Sequence, residues 1–169
     1  MTGDVHETTY NERQRFRQWW LWALVLIGPG FVLSLLLRVI FSGEMIEGFS
    51  TNNTIIILLV FIIGLLFPIF LYFMELDTEV SESELRIRFR PFHRKWVIFA
   101  LDCLEKAEPL TYNPLKDFGG WGIRYGKEGK AYNVHGNQGV LLTFSEGTTL
   151  LIGSQNHVLL AAKINSRLK

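Results

Sequence analysis

The chain has 169 residues and a net charge of +1, and residues 75–169 hold thirteen Lys and Arg against eleven Asp and Glu. That balance lacks the basic excess of a nucleic-acid binder, so no nucleic-acid partner is expected. The single cysteine, Cys103, excludes an intramolecular disulfide and an all-cysteine metal site, and it reads as a small core residue.

In chain order, residues 1–18 are polar, with little apolar surface to bury, and read as a mobile tail. Two uncharged apolar runs follow, at 19–37 and 55–74. Each is about twenty residues, enough at ~1.5 Å of rise per residue to cross a hydrocarbon core ~30 Å thick. The expectation is a transmembrane helical hairpin over 19–74, with spans at about 19–40 and 54–74. A buried core helix would need a larger protein around it. A cleaved leader is the other reading of the first run, since Arg13, Arg15 and Arg17 precede it, but its length and the lack of a small-x-small site argue for retention.

Trp19, Trp20 and Trp22 at the start of the first run, and Tyr72 with Phe73 at the far end of the second, fit aromatic belts on the same face. Orientation follows from the cations: three arginines precede the first run, and Arg86, Arg88 and Arg90 follow the second. Arg38 alone lies between, against Glu44 and Glu47. Both termini are therefore expected in the cytoplasm, in a multi-pass protein of the cell membrane joined by a short external loop at 42–53. Gly28, Pro29 and Gly30 interrupt the first run, Gly64 and Pro68 the second. They permit kinks and close helix approach.

From residue 75 the pattern changes to alternation. Leu76, Thr78 and Val80 alternate with Glu75, Asp77 and Glu79, and beyond the turn at 81–84 Leu85, Ile87 and Phe89 alternate with Arg86, Arg88 and Arg90. Folding the hairpin about Glu82 and Ser83 pairs Val80 with Leu85, Thr78 with Ile87 and Leu76 with Phe89. The same register sets Glu79 opposite Arg86, Asp77 opposite Arg88 and Glu75 opposite Arg90. Each such pair contributes ~0.2–1 kcal/mol, and together they neutralise what would otherwise read as a phosphate-binding stripe.

Further strands are expected at 95–101, 105–111, 120–125, 131–135, 140–144 and 148–152, with glycine-bearing turns between them. Eight short strands imply an antiparallel sandwich or barrel. Leu160, Ile164 and Leu168 place a closing helix over 157–168, with Ser154 or Asn156 as its cap. The fold class is thus α+β, a two-helix transmembrane hairpin followed by an antiparallel β domain, 75–169, with a C-terminal capping helix.

The sequence carries no recognisable catalytic signature. The segment 126–130 has a phosphate-loop look but the wrong glycine spacing, and it reads as a hairpin turn. Gly119, Gly120 and Gly122 lack dinucleotide spacing. His6, His93, His135 and His157 lie apart without ligand spacing, so no metal, cofactor or catalytic residue is expected, and the chain is not expected to be an enzyme. One basic cluster, His93, Arg94 and Lys95, has no adjacent carboxylate and is the candidate lipid-facing site, at ~1 kcal/mol per cation near an anionic surface.

The order and spacing of Asn113, Pro114 and Leu115, the run Gly119, Gly120, Trp121, Gly122, Ile123 and Arg124, then Ala131 and Tyr132, Gly136, Gly139 and Val140, Gly147, Ile152, Gly153 and Ser154, with the final helix, resembles membrane-associated bacterial proteins with a pleckstrin-homology-like (PH-like) domain. The resemblance covers 73–168. It departs at His157, where such proteins often place proline, and at the acidic turn 81–84, where phosphoinositide-binding PH domains are basic. The resemblance implies two orthogonal sheets capped by a helix, used for binding or assembly rather than catalysis.

The expected function is a non-catalytic, membrane-anchored PH-like binding or scaffold module that presents a protein-interaction surface at the cytoplasmic membrane face. Its expected partners are the bilayer, as an integral protein, and another protein or a second copy. Anionic-lipid headgroup binding is the alternative, and an uncharacterised membrane enzyme comes third.

Overall fold

A computed structural model describes the chain at residues 8–42 and 51–168, with the side chains at 36, 39, 40, 42, 51–58 and 60 outside the description. The chain divides into two units, Met1–Phe16 with Met74–Lys169, and Arg17–Phe73. The first is built from two β-sheets and two helices. The second is a pair of helices.

In the first unit, β1 (Tyr10–Arg15), β2 (Glu75–Val80), β3 (Glu84–Arg90) and β4 (Val97–Ala100) form one sheet in that order. The β2–β3 register follows the charge ladder, with Glu75 opposite Arg90, Asp77 opposite Arg88 and Glu79 opposite Arg86. Alternation then turns Leu76, Val80, Leu85, Ile87 and Phe89 inward, where all are fully buried. Residues 10–15 are not a mobile tail. They add β1 to the free edge of β2, because Arg13 and Arg15 find Asp77 and Glu75 opposite them.

A single 3₁₀ turn, Leu101–Cys103, leads into the second sheet, which contains β5 (Leu104–Thr111), β6 (Gly122–Gly126), β7 (Gly129–Asn133), β8 (Gln138–Phe144) and β9 (Thr149–Gly153) in the order β5-β8-β9-β7-β6. The all-antiparallel expectation is corrected here, since the β6–β7 hairpin docks beside β9 and β7 runs parallel to it. Cys103 is exposed in the turn, not a core residue. A short helix not expected from the sequence, α3 (Pro114–Phe118), is capped by the Asn113 side chain and started by Pro114.

The closing helix is α4 (His157–Asn165), with Leu160, Ala161 and Ile164 buried against β5 and β8. Asn156 stands at its cap but makes no capping side-chain bond; the Ser154 hydroxyl instead accepts from the Asn156 amide at 3.1 Å. At the far end the Asn165 amide brackets the Ala107 backbone, accepting from its N–H at 3.0 Å and donating to its carbonyl at 2.7 Å. That bracket covers the edge of β5 with a side chain.

The second unit comprises α1 (Trp19–Ser42) and α2 (Thr51–Phe73). They pack closely where Gly64 meets Pro29: a Cβ at Gly64 would lie 3.1 Å from the proline ring, so the glycine admits the ring. Both helices hold exposed apolar side chains, among them Ile27 and Phe31 on α1 and Ile63 and Phe67 on α2.

Among the described residues, no helix is long and apolar enough to cross a membrane. This overturns the transmembrane hairpin with spans at 19–40 and 54–74, the membrane class, and the multi-pass location with cytoplasmic termini. The expected orientation falls with the spans it was to orient. The expected external loop falls mostly on 43–50, outside the described residues.

Candidate binding surfaces

The outer face of the first sheet is a lattice of alternating charge. Asp77, on the central strand, receives Arg13 at 2.8 Å from one side, and Arg88 at 3.0 Å and Arg90 at 2.8 Å from the other. Glu75 receives Arg15 at 3.0 Å and Arg90 at 2.5 Å. The arginine stems fold across β2, so Asp77 is only 3% exposed although it sits on the outer face. Burial alone would raise the Asp77 pKa, but hydrogen bonds from Arg90, Arg88 and Arg13 outweigh it and hold the carboxyl below the usual range.

One member of the ladder departs from its expected partner. Arg86 lies opposite Glu79, yet its guanidinium pairs with Glu84 on its own strand at 2.8 Å, and Glu79 accepts from the Asn11 amide. Residues two apart on a strand share a face, so Glu84 competes on equal terms. The lattice consumes its own charge, and Arg88 also stacks on Trp96 at 4.4 Å.

The inner face of β1 is polar. The Glu12 carboxylate accepts hydrogen bonds from Tyr10 and Ser154, each at 2.6 Å, and from the Gln155 amide at 2.7 Å. Gln14 donates to the Gly153 carbonyl at 2.6 Å. Burial, reinforced by the Glu12 carboxylate, raises the Tyr10 phenol far above its ordinary value, so it stays a donor. This cluster binds the first strand to the β9–α4 turn.

The candidate site His93, Arg94 and Lys95 lies in the β3–β4 loop, and the structure separates its members. The His93 ring packs against Tyr132 with centroids 5.5 Å apart, and its Nδ1 faces the Phe89 N–H at 3.4 Å. Burial and the nearby Lys130 cation hold the imidazole below the ordinary histidine range, so it is neutral at pH 7. Arg94 and Lys95 remain exposed, beside Phe92, which is 56% exposed.

The same contact reveals residues that the sequence did not group with this loop. The Lys130 ammonium lies 4.7 Å from the Tyr132 ring and 5.8 Å from that of Tyr125, its cross-strand neighbour. The hairpin between Tyr125 and Lys130 is a turn, as its glycines suggest, with Gly126 paired to Gly129. The β3–β4 loop and the β6–β7 hairpin therefore meet through His93, Tyr132 and Lys130.

A different surface lies along β4. This strand ends the first sheet, with no further strand beside it among the described residues. All four of its residues are apolar, and none is fully buried: Ile98 is 53% exposed, and Val97 and Phe99 are half-covered. The chain matches no family model and no curated protein.

Proposed function

We propose that the chain is a non-catalytic binding module that takes an extended segment of a partner protein along β4. The observation behind this reading is the open, all-apolar edge Val97–Ala100. An unpaired strand edge offers a row of backbone donors and acceptors, and a partner strand added there gains main-chain hydrogen bonds while its alternate side chains meet Val97 and Phe99 or Ile98. Two other edges are less inviting. Asn165 brackets the backbone of β5, and at Gly126 the backbone of β6 approaches α3. The resemblance to PH-like domains points the same way, toward binding or assembly.

The test is site-specific photocrosslinking in cells. A photoreactive residue at Ile98 should trap one discrete partner, while the same residue at Leu115, 63% exposed on α3, should not. Ala100→Pro, which removes an edge donor, should abolish the adduct without loss of folding. Equal trapping at both positions would defeat the reading.

A further inference from the structure

We propose that the β3–β4 loop and the β6–β7 hairpin together form a docking surface for the headgroups of anionic lipids. Segments 91–96 and 125–130 hold four cations, Arg94, Lys95, Lys127 and Lys130, against the one carboxylate of Glu128. They are separated by about thirty residues of sequence and come from different sheets. The edge-on His93–Tyr132 contact and the Lys130 cation over Tyr132 join them.

The contrast with the arginine lattice carries the argument. There each buried carboxylate is shared among guanidiniums, and little charge is left for a ligand. Here, none of the four cations has an ion pair with a carboxylate among the described residues. Such unspent charge attracts an anionic surface and weakens with salt.

Two aromatic side chains decide between a bilayer surface and a soluble anion. Phe92 is 56% exposed and Tyr125 is 75% exposed, each beside the cations of its own segment. Exposed aromatic rings interleaved with Lys and Arg fit the boundary between headgroups and acyl chains, where the rings enter and the cations meet phosphate. A dissolved phosphate would draw on the cations alone. This contact is made by loops at a surface and does not depend on the occupant of β4.

The experiment uses the full chain with Cys103 replaced by serine, and Phe92→Cys, Tyr125→Cys or, as a control, Leu115→Cys labelled with a polarity-sensitive fluorophore. Vesicles of phosphatidylcholine with phosphatidylglycerol should blue-shift the probes at 92 and 125 but not at 115, and vesicles of phosphatidylcholine alone should not. Arg94→Gln, Lys95→Gln, Lys127→Gln and Lys130→Gln together should lower the anionic-vesicle response at least about tenfold while leaving thermal stability near that of the parent. High salt should act like the variant.

A shift of the same size on neutral vesicles, or no shift at 92 and 125, would overturn the proposal. Two other outcomes would also overturn it, each naming a different ligand: full competition by inorganic phosphate would assign a soluble anion, and a response to polyglutamate exceeding that to vesicles would assign an acidic protein. Crosslinking at Ile98 reads the β4 edge separately, so the failure of one proposal leaves the other standing.

Discussion

Ser154 donates a hydrogen bond of 2.6 Å to the carboxylate of Glu12, a residue 142 positions earlier, and so ties the first strand of the chain to the turn that starts its last helix. Tyr10 and the Gln155 amide complete the set of donors. Replacing Glu12 with alanine leaves these buried donors without an acceptor. We expect a loss of about 1–3 kcal/mol in unfolding free energy, with faster amide exchange confined first to Tyr10–Arg15. Exchange protection in β1 that is unchanged by Glu12→Ala would show that the strand is held by pairing to β2 alone.

Asp77 should matter more than any single arginine around it, since it serves three guanidiniums and each of those has water or a second carboxylate to turn to. Asp77→Ala is expected to cost about 1–3 kcal/mol, and Arg88→Ala about 0.5–1 kcal/mol. Because the folded-state pKa of Asp77 lies below 3.8, its contribution is fully present above that pH and is lost as pH falls through the folded value. Urea melts at pH values falling below 5 should therefore show the gap between the parent and Asp77→Asn narrowing.

His93 has a dependence of the same sign at higher pH. Its folded pKa is depressed below 6.5 by burial and Lys130, so the unfolded chain takes up the proton first as pH falls. The stability that depends on a neutral ring is complete above pH 6.5 and declines below it, until the folded imidazole also protonates. His93→Phe should flatten this part of the stability profile, and NMR titration of the ring should give a midpoint under 6.5. A midpoint above 6.5 would contradict the packed, neutral assignment.

Gly126 is fixed by its neighbours. A Cβ there would collide with the Asp117 carbonyl and the Phe118 ring. Gly126→Ala should cost about 2 kcal/mol or more by forcing the β6–β7 hairpin away from α3, whereas alanine at Gly30, which has open space around it, should not incur this steric cost. Thermal denaturation of the two variants measures the difference.

Much of the first sheet was legible because charge and hydrophobicity alternate in phase across β2 and β3, and the short turn at 81–84 selects one of the registers that satisfy both. The same pattern was silent about β1. Its inward residues Glu12 and Gln14 are polar, so no apolar alternation marks the strand, and the only trace is that Arg13 and Arg15 complement Asp77 and Glu75. In sequence those arginines instead resemble a topological signal at the start of an apolar run. The short helix α3 was foreshadowed by Asn113 followed by Pro114, a capping pair that five residues of helix are too short to support with periodicity.

The surfaces were less legible than the strands. His93, Arg94 and Lys95 are adjacent in sequence, but only the packing of His93 on Tyr132 removes the histidine from the charged group and brings Lys130 in its place. The parallel pairing of β7 with β9 was likewise hidden, since nothing local in Ala131 or Tyr132 names Leu151 or Ile152 as neighbours. Openness at β4 depends on where the other strands end, which no pattern within Val97–Ala100 records.

The position of β1 sets an order on assembly. Strands β2, β3 and β4 follow one another through short turns and can pair as soon as they collapse. By contrast, Arg15 meets Glu75, at a sequence separation of 60, only after the loop containing both helices of the other unit has been closed. The entropy of that closure rises only slowly with loop length, but it must be met before any contact of the strand repays it. In refolding, a three-stranded sheet should therefore form first, with Glu75 and Asp77 paired on one side only, and the N-terminal strand should arrive last to complete them.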